Sequence, residues 1–279
     1  MTASSIPVPA QNQRLRLRQR GFLVGHVPGF GAFTWLFFCY LYAPIVILVI
    51  FSFNESRSAT IWSGFSLDWY FKAFANDDIQ RAALNSLTIA AAATAMATVV
   101  AVLAALVLAR GGQFRGQTAA YGILMLPLMV PEIVTAVATL SFFAAIGLAL
   151  GLGNVIIAHT VFCIPFAFLP IRARLQDIDE TLEQAAQDLY ANEWQTFRRI
   201  TLPMLMPGIV SGAMLAFIIS IDDFIITLMV AQAGSTTLPL YIYGMVRIGI
   251  TPEVNAVSTV MLAISVLFVS LSYLIGRRR

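Results

Sequence analysis

Three carboxylates stand where a carboxylate is expensive. Glu132 lies in LMVPEIVTAV, and Asp222 with Asp223 lies in IISIDDFIIT, each flanked by apolar residues on both sides. A charged residue at the centre of a membrane helix costs about 2.5 to 3.5 kcal/mol on insertion scales, so such groups face a bundle interior or an aqueous path. The chemistry they offer there is weak, sequential attraction of ammonium groups without a deep trap. The structural alternative is that they pair with arginines or backbone donors of this chain or a partner, or sit near a membrane boundary. Successive helix positions are about 100° apart, so Asp222 and Asp223 cannot both point down one axis. Pro131, directly before Glu132 and close to Pro127, removes a backbone donor and predicts a kink or an unwound point. Broken helices near the midplane are where transporters build binding sites.

The other reactive residue types form no constellation. His159 is a lone histidine within an apolar run and His26 lies in the N-terminal tail; neither has a second His, Cys or carboxylate at ligand spacing. His159 therefore reads as an interhelical hydrogen-bonding residue, and no metal is expected. Cys39 and Cys163 both lie in apolar runs and read as packing residues, since a buried free cysteine behaves as a small hydrophobe. No Ser, His, Asp order points to catalysis, so the chain is not expected to be an enzyme. The one lysine, Lys72, sits in WYFKAF, which excludes a Walker A loop ending in Lys-Ser or Lys-Thr. ATP and Mg are therefore not expected as cofactors of this chain.

The elements that must position the acids follow from composition. Of 279 residues, 59% are hydrophobic and 11% charged, and the mean hydropathy is +0.82. An ordinary soluble domain is about 25% charged, so a water-soluble enzyme is excluded and the apolar excess must face lipid. A helix crosses the roughly 30 Å hydrocarbon core in about 20 residues. Six spans are predicted: 32–53, 83–109, 119–146, a shorter Pro-interrupted span over 154–170, 205–230 and 254–275. The fold class is therefore all-α and polytopic.

Orientation follows from the basic residues, which are enriched on the cytoplasmic side. The tail (Arg14, Arg16, Arg18, Arg20), the second-to-third loop (Arg110, Arg115), the fourth-to-fifth loop (Arg172, Arg174, Arg198, Arg199) and the C-terminus (Arg277, Arg278, Arg279) together hold thirteen of the seventeen. Arg57, Lys72, Arg81 and Arg247 fall on the opposite side. Both termini are thus expected in the cytoplasm, and the pI of about 9.1 reflects topology rather than nucleic-acid binding. Residues 1–31 read as a cytoplasmic tail and 32–279 as one transmembrane domain. The first apolar run is longer than the roughly 7 to 15 residues of a signal-peptide core and lacks a small-residue cleavage site, so it reads as an anchored helix. Within the long exterior connection 54–81, FSLDWYFKAF suits a helix at the membrane interface.

Residues 172–203, RARLQDIDETLEQAAQDLYANEWQTFRRITLP, concentrate six acidic and four basic residues. Leu182, Ala185, Ala186 and Leu189 recur at i, i+3, i+4 and i+7, the stripe of an amphipathic helix. A second short helix is predicted after Ala191, with Trp194 and Phe197 on one face. Such a pair makes either a platform on the cytosolic face or a solvated connector packed on its own bundle.

The stretch QAAQDLYANEWQTFRRITLP resembles the EAA loop of the inner-membrane permease subunits of bacterial ABC importers, whose pattern is EAAxxxG followed by an IxLP ending. By position Ala185 and Ala186 match the paired alanines, Asp188 and Leu189 a common DL pair, and Ile200, Leu202 and Pro203 the ending. Gln184 replaces the leading Glu, with Glu183 beside it, and Tyr190, followed by Ala191, replaces the glycine between the two helices. That glycine suits a positive-φ turn, which Tyr adopts only at a cost. The resemblance implies that this loop is a coupling helix seated in a cleft of a cytosolic ATPase. WYFKAFANDDIQRAALNSLTIA, LPLMVPEIVTAVA, HTVFCIPFAFLPIRARL, SIDDFIITLMV and LPLYIYGMVRIGITPEVNA are similar to the second permease subunit of spermidine/putrescine-type importers.

What the resemblance implies is a multi-pass protein of the bacterial inner membrane that forms half a pathway for a small cationic solute. The implied partners are a second homologous permease subunit, two cytosolic ABC ATPase subunits that bind ATP and Mg, and an extracytoplasmic substrate-binding protein. An amino acid, opine or related solute is the alternative cargo. A stand-alone secondary transporter or channel is the alternative class; it leaves the cytosolic platform unexplained and lacks a clear inverted repeat.

Overall fold

The computed structural model describes residues 29–58, 61–149, 151–249 and 251–277. Most of the predicted tail, together with Arg278 and Arg279, lies outside the described residues. Two compact units are distinguished, Met1–Ile47 and Leu48–Arg279. Among the described residues the regular elements are helical, and the one β pairing is an isolated bridge between Asn54 and Phe65.

Helix α1, Phe30–Phe51, is the first helix among the described residues, with 22 almost wholly apolar residues and no buried side chain. A short helix α2, Asp68–Ala75, follows; it is the predicted interfacial piece, and Trp69 donates its indole N–H to the Asn54 carbonyl at 2.9 Å. Helix α3, Asp77–Arg110, runs 34 residues and starts on Asn76, whose side chain accepts the Asp78 and Ile79 amides. The third predicted span is two helices, α4 (Gln117–Met129) and α5 (Glu132–Ala145), meeting at 111°. Val130 and Pro131 are extended between them, with ψ of 137° and 133°. The predicted break thus falls at the proline, because the residue before proline is pushed out of the helical region.

Helix α6, Leu152–Gln176, corrects the expectation of a short, Pro-interrupted fourth span. Pro165 and Pro170 sit inside one continuous helix of 25 residues, and it is the span with the largest buried share. Dense packing holds it together. Ala97, Ala101 and Ala105 of α3 form a small-residue stripe at four-residue spacing against Cys163, Ala167, Phe168, Ile171 and Leu175 of α6. Gly208 and Gly212 of the fifth span let that backbone approach α6 closely; a Cβ at Gly212 would run into the Ala167 carbonyl.

The two short helices predicted in the loop are present as α7 (Thr181–Asp188) and α8 (Glu193–Thr196). Helix α8 is not separate from the next span. A π-helical turn at Phe197–Thr201 joins it to α9, Leu202–Asp222, so that Glu193–Asp222 is one apolar helical run. Pro203 accounts for the wide turn: a proline ring clashes with the carbonyl four residues earlier, and the bond from the Leu202 amide to the Phe197 carbonyl widens the ladder just before it. The fifth span does not reach Val230 as expected. It ends at Asp222, Asp223 turns extended (φ −61°, ψ 131°), and a short helix α10, Ile225–Val230, follows. Helices α11 (Leu238–Ile248) and α12 (Pro252–Arg277) complete the chain. Five helices are long and apolar enough to cross a membrane, or six if the bent α4/α5 pair is one span.

Candidate functional site

The breaks in the third and fifth spans bring the predicted acids together. Ile89 of α3, Ala136 and Phe143 of α5, Val155, Ala158 and Phe162 of α6, and Ile226 and Val230 of α10 form one buried cluster. Packing α10 against α5 sets the first residue of α5, Glu132, beside the turn that carries Asp223. All three acids therefore sit at helix ends rather than mid-helix. Glu132 is in the first turn of α5, where the helix dipole favours a negative charge. Asp222 closes α9 and accepts the Ser265 hydroxyl of α12 at 3.2 Å.

Asp223 is the most enclosed of the three, with its side chain 2% exposed. Its Oδ1 accepts the Thr227 amide at 3.0 Å and the Thr227 hydroxyl at 3.1 Å. The same oxygen lies 3.2 Å from His159 Nε2. His159 in turn meets the Ser220 hydroxyl through Nδ1 at 2.8 Å and Thr227 Oγ1 through Nε2 at 3.0 Å. Asp223 Oδ2 is buried and has no hydrogen-bond donor among the described residues. Glu132 stands on the wall of the same cavity as Asp223. An open cavity of about 460 Å³ is lined by all three acids together with Phe162, Phe166 and Phe224. Carboxylates beside aromatic faces suit an organic cation, since ring faces attract ammonium as well.

The three acids and the hydrogen-bonding character of His159 are each legible in the sequence, but their juxtaposition is not. Ser220 and Thr227 went unnoticed, although Thr227 stands four residues after Asp223, a separation at which an Asp side chain can reach a helix amide. Asp222 and Asp223 both line the cavity although a continuous helix would not point them down one axis, because α9 ends between them and Asp223 is extended. Among the described residues no arginine pairs with any of the three acids; the ion pairs join Arg81 to Asp78, Arg110 to Glu180 and His159 to Asp223. Among the same residues no group of three His, Cys, Asp or Glu could hold a metal ion.

At the other functional candidate, α7 ends in a left-handed turn. Tyr190 has φ of 62°, the one positive value on a non-glycine residue among those described. The Ala191 amide bonds the Ala186 carbonyl at 3.0 Å and the Tyr190 amide the Gln187 carbonyl at 2.9 Å, the two bonds of a Schellman cap. The turn is thus built as a glycine would build it, with tyrosine in the glycine position. Asn192 and Gln195 then form a reciprocal capping box that starts α8.

The stripe predicted on α7 does not pack on the bundle. Ala186 alone is buried; Gln184, Ala185 and Asp188 are exposed, Leu189 is 81% and Tyr190 97% exposed, and Ala191 is half-buried. Trp194, also exposed, stacks on Phe197 with centroids 5.8 Å apart. Behind this surface the loop is tied down. Glu183 accepts the Thr201 hydroxyl at 2.8 Å. Arg110 donates to the Leu175 and Ile178 carbonyls at 3.1 and 2.8 Å and pairs with Glu180. The Thr181 amide holds the Asp179 carboxyl below the usual carboxylate range. Ile200 lies in the π-helical turn, and Leu202 and Pro203 open α9.

The model of the family described as binding-protein-dependent transport system inner membrane component matches residues 97–279. The chain belongs to that family. It is a permease component of the inner membrane, and this permease is 42% identical over 247 residues to the spermidine/putrescine transport system permease protein PotC of Haemophilus influenzae, covering 88% of this chain and 96% of that one. It is 40% identical over 231 residues to the putrescine transport system permease protein PotI of Escherichia coli, covering 81% and 82%. Among solved structures it is similar to a bacterial ABC transporter involved in the import of the acidic polysaccharide alginate, with a TM-score of 0.66 and 19% identity over 88% of this chain and 92% of that one. An inward-facing MetNI methionine ABC transporter gives a TM-score of 0.56 and 24% identity over 73% and 96%. At those identities the likeness concerns the fold.

Proposed function

We propose that this permease forms half of the translocation pathway of an ATP-driven importer for a polyamine of the spermidine/putrescine class. The observation that carries the proposal is the pairing of Glu132 with Asp223 on the wall of one open, aromatic-lined cavity, where one buried Asp223 oxygen has no donor among the described residues. The names of its relatives point to the same cargo. The fold alone does not decide the charge of the cargo, since a similar fold serves import of an acidic polysaccharide. The charge preference must come from the residues that line the path.

In this mechanism a second homologous permease completes the pathway, and an extracytoplasmic binding protein delivers the substrate. Two cytosolic ATPases bind ATP and Mg, and both termini of the permease lie on their side of the membrane. Closure of the ATPases on ATP moves the coupling segment, Glu183 to Ala191, and the Ile200, Leu202 and Pro203 junction transmits that motion into α9. The spans switch to the outward-facing state and receive the substrate, and hydrolysis resets them. Glu132, Asp222 and Asp223 then attract ammonium groups in turn. The exposed Leu189, Tyr190 and Trp194 support the docking role, because an apolar surface turned away from its own bundle needs another protein to cover it.

The test is reconstitution with the partner subunits and a panel of substrates, read by uptake and substrate-stimulated ATP hydrolysis. Putrescine or spermidine should stimulate, and Glu132→Gln should cut polyamine uptake about tenfold or more in an assembled complex, the effect expected on losing a charge-assisted contact. Stimulation by amino acids but not polyamines overturns the substrate; unchanged uptake by Glu132→Gln removes that residue from the pathway.

A further inference from the structure

We propose that His159 is a positioning residue for the cation site: with Ser220 and Thr227 it locks the Asp223 carboxylate so that Oδ1 is saturated from within the protein and Oδ2 is reserved for a substrate ammonium group. The inference rests on Glu132 and Asp223 being part of the cation pathway.

Hydrogen accounting fixes the arrangement. The Thr227 hydroxyl has one hydrogen, and it is directed to Asp223 Oδ1 at 3.1 Å. Its oxygen can then only accept from His159 Nε2, at 3.0 Å, so Nε2 carries a hydrogen. That hydrogen is shared with Asp223 Oδ1, 3.2 Å away. In the neutral ring Nδ1 accepts from Ser220, and in the charged ring it donates to Ser220, at 2.8 Å in either case. The opposite tautomer, with Thr227 donating to Nε2, would strip Asp223 Oδ1 of both side-chain donors and leave only the Thr227 amide. A carboxylate whose side chain is 2% exposed does not discard donors, because buried acceptors are almost always satisfied. The Nε2 hydrogen therefore faces Asp223 whatever the charge of the ring.

The geometric consequence is asymmetry. Three donors converge on Oδ1, while Oδ2 has none, and Glu132 lines the same cavity as Asp223. His159 comes from α6, Ser220 from α9 and Thr227 from α10, so the network also holds the chain break between α9 and α10 against the one long unbroken span. A carboxylate anchored by one oxygen cannot rotate away from its site. The free oxygen and Glu132 together offer convergent acceptors to a compact primary ammonium, which has three donors and no acceptor.

The experiment uses the full importer in proteoliposomes with putrescine-loaded binding protein, and reads putrescine imported per ATP hydrolysed. His159→Met keeps volume and removes the ring hydrogens; His159→Gln keeps an amide donor. The expected result is a roughly tenfold lower ratio for His159→Met, as expected for losing a hydrogen bond to a charged group, with at least half of the loss restored by His159→Gln. A packing role alone lowers transport and ATP hydrolysis together and leaves the ratio unchanged, which overturns the proposal, as does an equal defect in the two variants. If the His159 variants do not assemble, Thr227→Val and Thr227→Ser decide the matter. The proposal requires a low ratio for valine and a near-normal one for serine, and equal ratios overturn it. Glu132→Gln separates the levels. A low ratio there with a normal one in His159→Met overturns the positioning role alone, and normal ratios in both overturn the pathway reading with it.

Discussion

Tyr190 shows how one residue can carry a cost with no return inside its own chain. Left-handed backbone disfavours a residue with a Cβ by roughly 1 to 2 kcal/mol, and its ring, 97% exposed, makes no packing that offsets it. Tyr190→Gly is therefore expected to melt at the same or a higher temperature in detergent, while binding the cognate ATPase several-fold more weakly in a pull-down. Binding equal to the parent's would deny the ring any part in docking. The position was legible as a departure from the loop's pattern; the backbone angle was not, because the same letters admit a differently built turn. At the acid site the three carboxylates were equally legible, since charge inside apolar sequence is conspicuous. Their link to His159 was not, because contacts between α6 and α10 leave no spacing signal in either segment.

Among the elements, α7 is held by side chains that belong to others. Arg110, the last residue of α3, bonds the carbonyls just at and beyond the end of α6 and pairs with Glu180 at the start of α7. Glu180 is 65% exposed, so the ion pair itself contributes little; the carbonyl bonds do the fastening. Arg110→Met should leave the spans intact and raise amide hydrogen exchange across residues 177–190 by about tenfold, roughly the effect of losing bonds worth 1.5 to 3 kcal/mol to a charged donor. Unchanged exchange there would assign the fastening to Glu183 and Thr201 instead. Hydropathy located every span, and the break in the third was foreseeable from Pro131, whereas the continuity of the fourth and the break in the fifth were not. Pro165 and Pro170 looked disruptive, but α6 is enclosed by α3 and α9, and neighbouring helices sustain a ladder missing a bond or two. The breaks fall at Val130–Pro131, where the proline predicts one and two successive residues are extended, and at Asp223, which no proline marks.

For the whole molecule, exposed apolar surface is extensive: α1 has no buried residue, and large side chains along α3, α4, α5 and α12 are open as well. Lipid accounts for most of this area, and a homologous partner is expected to cover part of it. Mild detergent extraction followed by mass spectrometry should recover a second permease and an ATPase with this chain; recovery of this chain alone would sink the importer assignment.

The broken spans have a further consequence for the travelling ion. A primary ammonium entering from water must shed its hydration shell, and each of its hydrogens then needs a substitute acceptor. In the proposed pathway the two carboxylates supply some of them. A helix also leaves its last carbonyls without intrahelical partners, and α9 terminates on the cavity wall at Ile218, Ile219 and Asp222. An uninterrupted fifth helix would have closed those carbonyls into its own ladder. In the proposed pathway its early end lets the main chain itself act as a solvent, replacing water around a cation that moves through.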